Sequence, residues 1–290
     1  MNRPPMWKPG PRAVNVALRV GVFVFLALAG EVLFGWVFLG LLEPRRMISA
    51  VLTGFSAAVV ANALAMRIWE QRTLLDAGLA WNAASVRNLF LGMAGGAGAA
   101  LLVLGGAILE GAAELSKTGQ PLEWGVLIFV PVMLLFGAIG EEMLFHGYAF
   151  QVLLGELGAF ATILPMSVLF ASLHSWNPNV TALGLLNTAL WGFVLGYAFW
   201  RSGDLWLPIG LHFGWNWMLP LFGANLSGFT MNLTGCELRW RTGPLWSGGA
   251  YGPEGGIATT LAVGALFVWL MWKAPVKRQT PYLVREHWDD

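Results

Sequence analysis

Two adjacent carboxylates, Glu141 and Glu142, stand in the middle of a long apolar run, and His146, His174 and His212 stand inside or at the end of such runs. Glu142 and His146 are four residues apart, as are Phe170 and His174, and His212 and Asn216. That spacing puts the two members of each pair on one face of a helix. Carboxylate and imidazole are the side chains that move protons to and from water near neutral pH. Asparagine and histidine donate hydrogen bonds to a developing oxyanion. Glu141, His174 and His212 also have the donor chemistry of a zinc site with one position left for water, so metal-free and zinc-dependent routes both stay open. Adjacent helical residues point about 100° apart. Glu141 and Glu142 therefore take different tasks. Water activation falls to Glu141 with His174, and Glu142 sits behind, held by His146. His212 and Asn216 orient or polarise a substrate carbonyl. The chain has no G-x-S-x-G elbow and no H-E-x-x-H pair. Peptide hydrolysis by activated water is the reaction class that fits this inventory.

The surroundings of these groups are unusual for charge. The chain is 57% hydrophobic and 11% charged, against about 25% charged in an ordinary soluble domain. Its apolar residues come in long unbroken runs, which makes the bilayer the expected solvent. An ionised side chain at mid-bilayer costs about 2.5–3.5 kcal/mol on insertion scales. A carboxylate pair there implies a polar cavity reached by water. The net charge of +1 gives no reason to expect nucleic acid, and the single cysteine, Cys236, excludes an intrachain disulfide. Sixteen tryptophans suit the two interfacial belts of a membrane protein.

At roughly 20 residues per crossing, about eight membrane helices are expected, an all-α polytopic bundle. The segments are Ala13–Leu42, Met47–Trp69, Leu89–Leu109, Trp124–Leu154, Leu157–Leu173, Val180–Trp200, Leu205–Leu221 and Ile257–Trp272. The first runs past the small-residue stretch Ala27-Leu28-Ala29 and is too long for a signal peptide. The fourth is too long for the bilayer and is expected to protrude or break. Residues Phe222–Gly256, rich in Gly, Ser and Asn, read as a re-entrant or external loop. Residues 1–12 and 273–290 form tails. Arg67, Arg72, Arg87, Arg201, Lys273 and Lys277 gather with both tails on one side, so both termini are expected in the cytoplasm. The pair Arg45-Arg46 falls on the other side, against that bias. Glu31, in the first segment, is assigned no role.

Chain arithmetic brings the polar groups to one depth. Helices four and five form a hairpin turning near Glu156. At 1.5 Å per residue, Glu141 lies about 22 Å before that turn and His174 about 27 Å after it. His212 comes about 13 Å after the turn near Gly203, on the same side. A helix four that protrudes by about 10 Å lets all three meet. Any one histidine pair alone also describes a satisfied core histidine. Three polar pairs on three membrane helices are harder to account for that way.

On these residues the chain resembles the CAAX-protease and bacteriocin-processing family, which contains the type 2 CAAX prenyl proteases. The family pattern is a glutamate pair followed by x-x-x-R, then F-x-x-x-H, then H-x-x-x-N or D. Here the three motifs stand as Glu141-Glu142-Met143-Leu144-Phe145-His146, Phe170-Ala171-Ser172-Leu173-His174 and His212-Phe213-Gly214-Trp215-Asn216. The stretch from Asn177 to Thr181, through Leu205 to Gly210, resembles bacterial members, with weaker likeness in Tyr251–Gly256. The resemblance implies a catalytic membrane domain over residues 124–272, preceded by membrane helices over 13–123. It implies a cavity opening to the cytoplasm and endopeptidase activity on a membrane-associated, prenylated or peptide substrate. It also implies supporting places for Phe170 and Asn177 and, from the bacterial likeness, location in the inner cell membrane. The chain departs from the pattern at His146, where the family carries arginine. A protonated His146 still pairs with Glu142, whereas a neutral one is free to act as a metal ligand.

Two rival readings follow from the same residues. One is an inactive family member that binds or escorts membrane proteins. The other is a proton-coupled transporter, since intramembrane acids also line ion paths, although no paired half-repeats are present.

Overall fold

Inside hydrocarbon a segment must satisfy its own backbone hydrogen bonds, so the long apolar runs fold as helices. The computed structural model describes residues 12–43 and 45–287; the expected N-terminal tail, with Arg3 and Lys8, lies outside the described residues apart from Arg12. Eight helices carry the architecture: α1 (Arg12–Leu42), α2 (Arg46–Ala65), α3 (Ala83–Leu109), α4 (Trp124–His146), α5 (Tyr148–Leu157), α6 (Ala159–Leu173), α7 (Ala182–Ser202) and α8 (Trp206–Leu221). A single turn, α9 (Pro244–Ser247), and a last apolar helix, α10 (Ile257–Trp272), follow. The protein is an integral, multi-pass helical membrane bundle.

Among the described residues, six helical stretches are long and apolar enough to cross a membrane. The seventh and eighth expected crossings, α8 and α10, have 16 residues each, about 24 Å at 1.5 Å per residue. For α8 the reason is its place: residues Leu207–Trp215 are buried, so it is a central helix that meets protein rather than lipid. The strands β1 (Ala113–Lys117) and β2 (Cys236–Trp240) pair antiparallel, Ala113 opposite Trp240 and Lys117 opposite Cys236. They join the loops after α3 and α8, which an all-helical reading did not contain.

Helix starts follow local chemistry. The Asn82 side chain accepts from the amides of Ala84 and Ser85 at 2.8 and 3.1 Å, which starts α3 six residues ahead of its apolar run. Thr181 caps α7 by accepting from Gly184 N at 2.9 Å. The long fourth segment breaks between His146 and Tyr148, at Gly147. Asn62 of α2 fills the break. Its Nδ2 donates to the carbonyls of Ala58 and Met143 at 2.8 and 2.9 Å, and its Oδ1 accepts from Tyr148 N at 2.7 Å. A Cβ at residue 147 would lie 2.1 Å from the Met143 carbonyl oxygen, so only glycine fits there.

Helix α3 lies along α8 at a separation set by glycines. A Cβ at Gly96 would sit 2.0 Å from the Leu211 carbonyl oxygen, and one at Gly214 would sit 2.3 Å from that of Met93. Gly92/Gly96 on α3 and Gly210/Gly214 on α8 have the small-xxx-small spacing of close membrane-helix pairs. This contact fixes the rotation of α8, and with it the direction of His212. At the other end of α8, Asn88 and Gln279 donate to Asp204, tying the segment after α10 to the α7–α8 turn.

Candidate active site

The three motifs meet. His146 Nδ1 lies 2.7 Å from Glu142 Oε2, and His212 Nδ1 lies 2.8 Å from Glu142 Oε1. Glu142 is fully buried and His146 nearly so, at 0% and 2% exposure. An ionised carboxylate only accepts hydrogen bonds, so both imidazoles donate Nδ1–H to it. His174 is set by a different acceptor: its Nδ1 donates to the carbonyl of Phe170 at 2.8 Å. The two bonds turn the Nε2 atoms of His174 and His212 toward Glu141, whose Oε2 lies 3.9 and 3.8 Å from them.

Phe170 packs among these groups. Its ring meets Phe145 edge-on with centroids 4.9 Å apart and lies 4.5 Å from the ring of His174. It also presents an edge to His212 at 6.2 Å. Phe170 thus holds His174 twice, by its carbonyl and by its ring. His146 lies on the far side of Glu142, with its ring against Phe150 at 5.0 Å. It does not join Glu141 and His174, which leaves the carboxylate of Glu142 as its partner.

A cavity of about 560 Å³ opens in front of these groups, lined by Glu141, His174, His212, Asn216 and Asn177 among others. Helices α1, α2 and α4 also line it, through Glu31, Met47, Val51, Val130, Met133 and Gly137. Glu31 therefore faces the cavity from the first helix. All five residues expected to do chemistry converge: Glu141, His174, His212 and Asn216 on the cavity, and Glu142 behind His212.

The cavity lies toward one end of the bundle. Asn177, Ser227 and Met231, in the connections after α6 and α8, line it. So do the first turn of α2, through Met47, and the last turns of α8, through Asn216. Strand β2 follows α8 at this end, whereas the segment after α10 returns to the opposite end, where Gln279 N donates to Ser202 O at 2.6 Å. Two expectations therefore exclude each other. If the C-terminus is cytoplasmic, the cavity faces away from the cytoplasm.

Residues outside the three motifs also belong to the site. Glu254 lines the cavity and accepts from Trp215 Nε1 at 3.0 Å. Ser227 and Thr188 line it too. A carboxylate within the glycine-rich stretch Tyr251–Gly256 was the only sequence signal for Glu254. Nothing in the sequence pointed to Ser227 or Thr188.

The donor set bears on zinc. Neutral imidazole Nε2 and a carboxylate oxygen are suitable ligands, and Glu141 Oε2 is a buried oxygen with no hydrogen-bond partner. Ligands about 2.0–2.1 Å from a tetrahedral zinc stand about 3.4 Å from one another, closer than the 3.8 and 3.9 Å found here. Among the described residues, no group of three or more His, Cys, Asp or Glu side chains is placed to hold a metal ion.

Residues 123–218 match the family described as Type II CAAX prenyl endopeptidase Rce1-like. The match ends two residues beyond Asn216 and takes in all three motifs. No curated protein and no solved structure matches the chain.

The bridge at Glu142 generates a prediction. In Glu142→Gln the amide presents one oxygen and one N–H₂ to two Nδ1–H donors, so one imidazole loses its acceptor. We expect kcat for a cleavable peptide to fall about tenfold or more with KM little changed, as when the residue that orients a catalytic histidine is neutralised. The check is steady-state kinetics on purified protein of unchanged elution volume. An unchanged kcat refutes the orienting role.

Proposed function

With a chain of the CAAX-protease family, spanning the membrane, as the premise, we propose that it is an intramembrane endopeptidase that hydrolyses a peptide bond by water activated at Glu141. The observation that carries this reading is the convergence of Glu141 Oε2 with His174 Nε2 and His212 Nε2 at 3.9 and 3.8 Å. Those gaps are too long for direct hydrogen bonds and wide enough for a water oxygen bonded at about 2.8 Å to two of the groups.

In this reading each histidine acts according to what stands behind it. His174 is backed by a neutral carbonyl; its Nε2 lone pair accepts from the water and aims it. His212 is backed by the Glu142 carboxylate, which supplies the counter-charge for an imidazolium. Its Nε2–H and the Asn216 amide donate to the carbonyl oxygen as negative charge develops there. Glu141 takes a proton from water, the hydroxyl oxygen bonds to the carbonyl carbon, and Glu141 returns the proton to the amine as the C–N bond breaks. His146 supports Glu142, the task an arginine has in the family pattern. The largely apolar walls suit a membrane-associated peptide that enters between helices. Zinc enters this reading only as the alternative that a chelator tests.

The test uses protein reconstituted in vesicles and a set of lipidated and unlipidated peptides. We expect Glu141→Gln to lower kcat about 10²–10⁴-fold, the range for loss of a general base, while the variant stays in the membrane. A chelator is expected to leave wild-type cleavage intact. Chelator-sensitive cleavage restored by zinc replaces the metal-free route. Peptide capture without cleavage, unchanged in Glu141→Gln, supports the escort reading, and Glu141-dependent uptake supports the transporter.

Orientation is part of the proposal. From the Lys and Arg bias we expect both termini in the cytoplasm, with the cavity facing the opposite side. A cytoplasm-only reporter fused after Trp272 should be active; an inactive one, with a complementary external reporter active, reverses the placement.

A further inference from the structure

Between α8 and α10 the chain turns back to the cavity as a short hairpin. Leu226 and Phe229 exchange backbone bonds, Leu226 N to Phe229 O at 2.9 Å and Phe229 N to Leu226 O at 2.8 Å. The two residues at the tip both have positive φ, Ser227 at 49° and Gly228 at 85°. That is the backbone of a tight primed hairpin turn, and its usual first residue is Asn, Asp or Gly. Gly228 meets the requirement. It also packs so closely on the loop after His174 that a Cβ would lie 1.9 Å from the Pro178 carbonyl oxygen. Ser227 is a residue for which the left-handed region is strained.

Glu254 holds Ser227 there, beside a backbone bond from Gly228 N to the Tyr251 carbonyl at 2.8 Å. One carboxylate oxygen accepts from both the backbone N–H and the hydroxyl of Ser227, the latter at 2.9 Å. The other accepts from Trp215 Nε1 at 3.0 Å, on the residue before Asn216. Glu254 is itself fixed from behind. Asn187 of α7 donates to the carbonyls of Glu254 and Gly256 at 2.7 and 2.9 Å, and Thr259 donates to that of Pro253 at 2.7 Å. Glu254 is 9% exposed. Leu226, Phe229 and Met231 line the cavity, as do Ser227 and Glu254.

We propose that Glu254 is a positioning residue: its carboxylate latches the hairpin Leu226–Phe229 in place as an apolar wall that receives the substrate side chains beside the scissile bond. This rests on the peptidase reading, in which the cavity takes a peptide. The latch acts on substrate fit through Ser227; the reacting groups keep their own supports at Glu142 and Phe170. Loss of the carboxylate therefore raises KM more than it lowers kcat. Relieving the backbone strain that the latch opposes restores the wall, and Ser227→Gly does that because glycine adopts positive φ without penalty.

The experiment compares wild type, Glu254→Gln and the double variant Glu254→Gln/Ser227→Gly by amide hydrogen exchange over residues 226–231 and by steady-state cleavage of a peptide the wild type cuts. In Glu254→Gln we expect about tenfold or faster exchange in the hairpin, and a KM raised about tenfold with kcat within about threefold. The double variant should return both toward wild type. Unchanged exchange and KM overturn the proposal, as does a collapse of kcat at constant KM, which makes Glu254 part of the reacting machinery. Failure of the second substitution to restore the hairpin also overturns it, leaving Glu254 as an anchor for Trp215 alone. If Glu254→Gln does not fold, Ser227→Ala decides, since it keeps the strained φ and removes one bond: a raised KM supports the latch and an unchanged one overturns it. A wild type that cleaves no peptide refutes the peptidase reading, and the exchange comparison then decides the latch by itself.

Discussion

A buried carboxylate shared by two imidazoles is the interaction on which the site depends. Glu142 has no exposed surface and bonds His146 on its own helix and His212 on α8. Removing one partner leaves a buried donor or acceptor unsatisfied, at about 1–3 kcal/mol. The bridge therefore joins α4 to α8 and fixes which nitrogen of His212 faces the cavity. His174 reaches the same orientation by a neutral route, through the Phe170 carbonyl. The contrast in backing gives the two histidines different electrostatic surroundings.

The bundle exists to hold that bridge in register. Helix α8 carries His212 and Asn216 and is too short to need both membrane faces. Its rotation is set by glycine contacts with α3, where backbone meets backbone and no side chain gives. Helix α4 stops directly after His146, and Asn62 satisfies the backbone groups that the break at Gly147 frees. An orphaned backbone group at that depth costs several kcal/mol, so α2 supports the motif helix through the backbone of Met143 and Tyr148. Leu226, Ser227, Phe229 and Met231, in the loop after α8, add to the cavity lining.

Much of the site was legible because helical spacing is a local rule. Glu142 and His146 had to share a face, and the arithmetic of helix rise brought Glu141, His174 and His212 to one depth. The apolar runs gave the helix count to within the two short members. What stayed hidden depends on contacts between distant residues. The bond from His212 to Glu142 spans 70 positions in sequence and needs the α3–α8 contact to exist. The pairing of Ala113–Lys117 with Cys236–Trp240 joins two five-residue segments; both alternate apolar and polar residues, Cys236-Glu237-Leu238-Arg239-Trp240 throughout, but nothing local ties one to the other. Glu254 has no polar partner at helical spacing; its partners, Trp215 and Ser227, come from other parts of the chain. A cytoplasmic C-terminus and a cytoplasmic cavity require opposite ends of the same bundle, a link between distant segments that the charge bias does not contain.

The central claim is that Glu142 dictates the tautomer of His212. The direct measurement is the protonation of the ring nitrogens by ¹⁵N NMR of histidine-labelled protein in detergent, with single-histidine substitutions for assignment. The account predicts that Nδ1 of His212 carries a proton at every pH at which the protein is folded and Glu142 is ionised, and that this preference is lost in Glu142→Gln. A neutral His212 protonated at Nε2 with a bare Nδ1 in the wild type contradicts it.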